Sequence, residues 1–160
     1  SEARRSVRSG NARGATEIIR CLKEKRFQLA FQPVVDAATG RPAFHEALLR
    51  MTGEDGRTVP AGHLIPVAEK LGLVRLIDKA VVEMALAVLA RHPSARLSIN
   101  ISGTTATDPR WYPGILSLIG NETGLAARLI VEITETAAIK DMNESVAFVD
   151  TVKEHQSATA

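Results

Sequence analysis

Two short apolar segments, 96–102 and 129–134, constrain the fold of this chain more than any other feature. Each is a near-continuous apolar run, which is typical of strands that are covered on both faces and therefore of parallel sheets. Segments with helical periodicity precede them and separate them. Strands that alternate with helices in this way predict βαβ units, so the sequence predicts an α/β fold with a parallel sheet.

The chain before these runs has a different pattern. Residues 27–32 alternate strictly between apolar and polar side chains and predict a strand that Pro33 closes. A turn over 36–40 leads into a second strand at 44–50, and so short a connection predicts an antiparallel pair. Helices are predicted at the following segments: 15–25, from Pro60 to Gly72, from Leu73 to His92, from Asp108 to about Leu118, and 141–153.

Composition limits the class of protein. With 160 residues, 45% of them hydrophobic, the chain is long enough for one domain with a sizeable core. A net charge of +2 gives no argument for a nucleic acid polymer as partner. No apolar run approaches the ~20 residues that span a bilayer, and no signal peptide is recognisable, which favours the cytoplasm. The single cysteine, Cys21, excludes an internal disulfide and is predicted to be a small buried side chain.

The first 14 residues are rich in arginine, serine and glycine. This composition predicts a flexible basic linker at 1–14, followed by one domain at 15–160. A basic arm that touches nucleic acid or lipid is the alternative interpretation.

Three predicted strands each carry a polar residue in apolar surroundings, namely Glu46, Asn100 and Glu132. Ligands bind at the carboxyl ends of strands in α/β barrels and sheets, and we expect these side chains near that end. Two carboxylates and one amide offer oxygen donors, which suit Mg²⁺ or Mn²⁺. Structural alternatives remain: Glu46 pairing with Arg50, Asn100 satisfying backbone groups, and Glu132 pairing with a cation on a helix.

Several motifs in order resemble the EAL domain family. They are Phe-Gln-Pro-Val-Val-Asp at 31–36, Glu-Ala-Leu-Leu-Arg at 46–50, Leu-Ile-Pro-Val-Ala-Glu at 64–69, Ser-Ile-Asn-Ile-Ser at 98–102 and Glu-Ile-Thr-Glu at 132–135. The resemblance implies a modified TIM barrel, of which the chain carries about the first half to two-thirds, with an antiparallel first strand. It also implies hydrolysis of the bacterial second messenger cyclic di-GMP to linear pGpG.

The same resemblance implies roles for individual residues. Glu46, Asn100 and Glu132 match metal ligands for Mg²⁺ or Mn²⁺. Arg50 matches the arginine that holds a substrate phosphate, and Gln32 matches the glutamine of the first strand that contacts substrate.

Other parts of the family pattern are missing. An Asp-Asp-Phe-Gly motif is expected directly after Ala160, followed by a lysine near the metal-bound water, a glutamate ligand and a glutamine. We therefore expect a truncated domain at 15–160 that is inactive by itself and pairs with a second copy or a completing segment. Whether the chain is an enzyme stays open. A non-catalytic EAL module that binds a partner, or binds cyclic di-GMP weakly, is the alternative, and a purely structural fragment is the third hypothesis.

Overall fold

The computed structural model describes residues 2–121 and 124–134. The helix predicted over 141–153 lies outside these residues. The elements of the described part, in chain order, are α1 (Glu2–Lys23), β1 (Phe27–Val35), β2 (Pro42–Thr52), β3 (Thr58–Pro60), α2 (Leu64–Lys70), α3 (Val74–Arg91), β4 (Leu97–Ser102), α4 (Gly103–Ala106), α5 (Tyr112–Gly120), a 3-10 turn (Ala126–Arg128) and β5 (Leu129–Thr134).

One mixed sheet organises these elements. Its strands lie in the order β1-β2-β4-β5, and β3 pairs with β2 beside this row. β1 and β2 are antiparallel, whereas β2, β4 and β5 run parallel to one another. The predicted α/β fold, with its antiparallel first strand and its parallel sheet, is confirmed.

The contact between β2 and β4 is short. The two strands are in register only at His45 opposite Leu97 and Glu46 opposite Ser98. Further along the same edge of β2, residues 50–52 pair with β3 instead. The carboxyl ends of β2 and β4 therefore separate, and this separation shapes the candidate site.

Helix α1 begins at Glu2, so it is longer at its amino end than the helix predicted over 15–25. Its second half packs through Ile18 and Cys21, which are both fully buried. Helix nucleation is costly but each added residue costs little, so a packed second half lets the first half continue as helix. The basic linker at 1–14 stays a prediction. The domain boundary at residue 15 stays a prediction.

Two prolines lie in strands. Pro33 lies inside β1 rather than ending it, because β1 is an edge strand and the missing N–H needs no partner there. Pro60 ends β3, and α2 starts only at Leu64, so the prediction that Pro60 opens this helix is wrong. Helix α2 ends at Lys70, and the φ of 68° at Gly72 permits the turn in which Leu73 N–H bonds Ala68 O.

Helix α3 covers the sheet with one face. Its buried side chains are Val74, Ile77, Asp78, Val81, Val82, Ala85, Leu86 and Leu89. Met84 and Val88 are apolar as well but only partly buried. The helix is apolar over most of its circumference, so periodicity alone did not define the buried face. One consequence is that a carboxylate, Asp78, lies in the core.

Candidate functional site

The five residues predicted to form the site lie on one face of the sheet. Gln32 is opposite Glu46 across the β1–β2 hairpin, and Asn100 is opposite Glu132 across β4 and β5. Glu46 is itself opposite Ser98, which shares the face of Asn100 because side chains alternate along a strand. Arg50 lies on this face four residues beyond Glu46. The strand register thus brings together residues that are far apart in the sequence.

A hydrogen bond joins two of these side chains. Asn100 Nδ2 donates to Glu46 Oε1 at 3.2 Å. Glu46 is opposite Ser98, which lies two residues before Asn100 on β4. The Asn100 amide therefore points back along β4 and across the gap between the two strands. An amide that donates through its nitrogen keeps its carbonyl oxygen as an acceptor. The carbonyl oxygen of Asn100 therefore stays available to accept a hydrogen bond or to bind a cation beside Glu46.

The structural alternatives for these residues are not observed. Arg50 Nη1 donates to the Leu49 carbonyl at 3.2 Å, and within residues 2–121 and 124–134 it forms no ion pair with Glu46. Asn100 bonds a side chain rather than the backbone. Glu132 is exposed and pairs with no cation in the described part of the chain.

The donor set of this face fits a hard cation. It offers the carboxylates of Glu46 and Glu132 and the amide oxygen of Asn100. Mg²⁺ is commonly held by one or two carboxylates while it keeps several waters. No group of three or more histidine, cysteine, aspartate or glutamate side chains suited to a metal occurs among the described residues. A set of three oxygen ligands on this face therefore has to include the amide oxygen of Asn100 besides the two carboxylates.

Comparison with known proteins assigns the family. The EAL domain model matches residues 15–159. This chain belongs to the EAL domain family. The resemblance predicted from the motifs is confirmed.

Two curated relatives give the same family. The chain is 30% identical over 128 residues to the cyclic di-GMP phosphodiesterase PdeF of Escherichia coli K12, which is 78% of this chain and 17% of PdeF. It is 33% identical over 122 residues to the cyclic di-GMP phosphodiesterase PA2567 of Pseudomonas aeruginosa, which is 74% of this chain and 21% of that protein. The chain thus spans about a fifth of the length of these relatives.

A solved structure gives the same fold. The S helix–GGDEF–EAL portion of LapD from Vibrio cholerae, bound to c-di-GMP, matches with a TM-score of 0.82 at 18% identity. The match covers 91% of this chain and 36% of that one. The EAL domain described here is accordingly part of a TIM-barrel-like fold, as predicted.

A buried polar cluster lies behind the candidate site of this EAL domain. Asp78 on α3 is 3% exposed and accepts hydrogen bonds from Ser102 N at 3.2 Å and Thr105 Oγ1 at 2.5 Å. Ser102 Oγ in turn donates to Glu69 Oε1 on α2 at 2.8 Å. The cluster ties α2 and α3 to the carboxyl end of β4.

The charge of Asp78 is poorly solvated. Burial raises the pKa of its carboxyl from 3.8 to about 7, although the bonds from Thr105 and Ser102 act in the opposite direction and Glu69 adds a smaller upward effect. Sequence reasoning missed this residue. The signal was its position four residues after Val74 and three before Val81, which places a carboxylate on a buried helical face.

A cavity of about 280 Å³ connects the cluster with the open face of the EAL domain. It lies where β2 and β4 separate, and its lining includes Arg50, Asn100, Ser102 and Asp78.

Among the described residues of this EAL domain, no helix has both the length and the apolar character needed to cross a membrane.

Proposed function

We propose that this EAL domain belongs to a cyclic di-GMP-specific phosphodiesterase, which hydrolyses cyclic di-GMP to linear pGpG with Mg²⁺ or Mn²⁺. Membership of the family and two relatives named cyclic di-GMP phosphodiesterases support a role in cyclic di-GMP signalling. The observation that carries the proposal is the hydrogen bond from Asn100 to Glu46 on the sheet face that also holds Glu132.

The proposed roles follow from the chemistry of the side chains. Glu46, Asn100 and Glu132 would hold a divalent cation through oxygen atoms. Bound cations supply an activated water and neutralise charge on the attacking and leaving oxygens of a phosphodiester. Arg50 would hold a phosphate of the substrate, because its guanidinium is always charged and has a fork of donors that matches phosphate oxygens. Gln32 would contact the substrate from the neighbouring strand.

The 160-residue polypeptide alone should not be an active enzyme. A pair of cations with its activated water needs more ligands than the three oxygen donors on this face. Among the described residues, histidine, cysteine, aspartate and glutamate side chains form no group of three or more that would supply the further ligands. A second copy or a completing segment is therefore part of the proposal, as is a location in the cytoplasm.

The test measures conversion of cyclic di-GMP to pGpG by the natural protein that contains this chain, with Mn²⁺ and after chelation by EDTA. Turnover that depends on Mn²⁺ and disappears in Glu46→Gln is the expected result. Turnover that is equal in Glu46→Gln and wild type would remove Glu46 from the proposed site. Turnover by the purified 160-residue polypeptide would contradict the proposal that it is inactive alone.

The second candidate is a non-catalytic module that binds cyclic di-GMP. One observation favours it: the described residues contain two carboxylates on the site face but no cluster of three or more charged or sulfur ligands. Binding of cyclic di-GMP without hydrolysis in Mn²⁺ by the natural protein, lost in Arg50→Ala, would support this candidate over the enzyme.

A further inference from the structure

We propose that Asp78 is a positioning residue for the metal site, which fixes Asn100 through the carboxyl end of β4. The inference rests on the proposed function, because it assumes that Asn100 contributes to cation binding. Asp78 itself lies on α3, outside the row of site residues, and none of the family motifs identified in the sequence contains it.

The sheet leaves the end of β4 unsupported on one side. β2 and β4 are in register only as far as Glu46 and Ser98, and the cavity of about 280 Å³ occupies the space beyond. On the other side β5 continues to pair with β4 up to Ser102 opposite Thr134. The side of β4 that faces β2 therefore lacks the backbone partner that a strand in the middle of a sheet normally has.

Asp78 supplies a substitute for that partner. Its carboxylate accepts the backbone N–H of Ser102, which is two residues after Asn100 on the same strand face. The same carboxylate accepts the Thr105 hydroxyl, so the strand end and the first turn of α4 are held by a single side chain. Both bonds end on Asp78 Oδ2, so this one oxygen, in a residue that is 3% exposed, joins the strand end to the start of α4.

A second link stiffens the arrangement. Ser102 Oγ accepts the Thr104 N–H at 3.3 Å as the N-cap of α4 and donates to Glu69 on α2. The strand end is thus fastened to α2, α3 and α4. Asn100 lies two residues before Ser102 on β4. The orientation of its side chain toward Glu46 therefore depends on the path of the strand at this end.

The variants Asp78→Leu and Thr105→Val test the inference. Leucine has nearly the same shape as aspartate but offers no acceptor to the Ser102 N–H and the Thr105 hydroxyl, so the strand end should shift. The dissociation constant of Mn²⁺ is measured by titration under electron paramagnetic resonance on the natural protein, at a temperature where circular dichroism reports each variant folded. We expect Asp78→Leu to weaken Mn²⁺ binding about tenfold, as is typical when a group that orients a ligand is lost.

Thr105→Val should weaken binding less, because Ser102 N–H keeps its acceptor. Thr104→Val is the matched control, since Thr104 is exposed and its hydroxyl makes no bond in the described structure. A purely structural role for Asp78 would lower the melting temperature and leave the Mn²⁺ dissociation constant of the folded protein unchanged, which would overturn the inference. If Asp78→Leu does not fold, Thr105→Val decides: a Mn²⁺ dissociation constant equal to that of Thr104→Val overturns the inference.

Glu46→Gln distinguishes a failure of the proposed function from a failure of the positioning role of Asp78. Equal Mn²⁺ binding by Glu46→Gln and wild type, or no binding by the wild type, overturns the proposed function together with the positioning role. Loss of Mn²⁺ binding in Glu46→Gln but not in Asp78→Leu or Thr105→Val overturns the positioning role alone.

Discussion

The amide of Asn100 donates a hydrogen bond to the carboxylate of Glu46 across 3.2 Å, from β4 to β2. The two residues are 54 positions apart in the chain. Their strands are in register just below this contact and separate just above it. A polar contact at such a point joins the hairpin β1–β2 to the parallel part of the sheet, and it concentrates oxygen atoms where the sheet opens.

The first prediction concerns Glu46→Gln in the natural protein. Removing one carboxylate charge from a site of three oxygen donors should reduce Mn²⁺-dependent hydrolysis by at least about 100-fold. The melting temperature should change little, because glutamine still offers an oxygen to Asn100. Steady-state hydrolysis and differential scanning calorimetry measure the two effects.

Glu83→Gln is the matched control for this change. Glu83 forms an ion pair with Lys79 at 3.9 Å, and both side chains are at least half exposed. Exposed pairs contribute little, so both activity and stability should be unchanged. A similar fall in activity in Glu83→Gln would mean that the loss in Glu46→Gln is not specific to the site.

The second prediction concerns Arg50→Lys. Lysine keeps the charge but cannot make two parallel hydrogen bonds to one phosphate, so the KM for cyclic di-GMP should rise about tenfold or more while the Mn²⁺ dissociation constant stays the same. Arg57→Lys is the control, because the Arg57 side chain is 85% exposed. An unchanged KM in Arg50→Lys would exclude a phosphate contact by the guanidinium.

The third prediction concerns pH and Asp78. The folded state raises the pKa of this carboxyl to about 7, so the folded chain holds a proton between about pH 4 and 7 that the unfolded chain has released. The free energy of unfolding should therefore fall as the pH rises through this range. The contribution of Asp78 to the free energy of unfolding is fully present below pH 3.8 and is lost above pH 7, and the full change is of the order of 4 kcal/mol.

Asp78→Asn isolates this effect, since it removes the titrating group. All other residues around the cluster and the cavity are the same in both proteins, so the difference between the two proteins reports Asp78 alone. Urea unfolding at several pH values measures the difference in unfolding free energy between the two proteins. Curves that stay parallel between pH 4 and 7.5 would contradict the raised pKa.

The fourth prediction concerns Arg128, whose guanidinium donates to three carbonyls: Leu89 O in the last turn of α3 at 2.8 Å, and His92 O and Ala95 O in the loop that follows, both at 2.9 Å. The last carbonyls of a helix lack partners within it, so this cation satisfies the carboxyl end of α3 and holds the loop against it. Arg128→Met should reduce the free energy of unfolding by about 2 kcal/mol, measured by urea denaturation.

Arg91→Met is the comparison for Arg128. Arg91 is exposed and makes one long bond, 3.4 Å, to Ala87 of its own helix. Its loss should cost at most a few tenths of a kcal/mol. Equal costs for the two substitutions would show that the three bonds of Arg128 contribute no more than an ordinary surface contact.

Strand alternation and motif order were enough to predict much of this fold. The parallel strands β4 and β5, the antiparallel hairpin and a common face for Glu46, Asn100 and Glu132 follow from period-two patterns that local sequence carries. The short contact between β2 and β4 could not be predicted, because it depends on β3 taking the remaining edge of β2.

Other misses have physical causes of the same kind. Residues 2–14 are helical because Ile18 and Cys21 anchor the turn that follows, and composition alone does not report such packing. Asp78 was overlooked because α3 is apolar around most of its surface, so its buried face is set by the neighbouring elements. The hydrogen bonds of Ser102 with Asp78 and Glu69 join three elements, and no local pattern encodes them.

The short contact between β2 and β4 has a consequence for how this domain opens. A contact of two register positions is weak, so we expect the β1–β2 hairpin and the β4–β5 pair to exchange their amide hydrogens as separate cooperative units. Glu46 belongs to one unit, and Asn100 and Glu132 belong to the other. A cation bound by all three side chains would connect the two units, and its binding free energy would stabilise the contact between β2 and β4. Slower exchange of the His45 amide, which bonds Arg96 O at 2.9 Å, would then report metal occupancy directly.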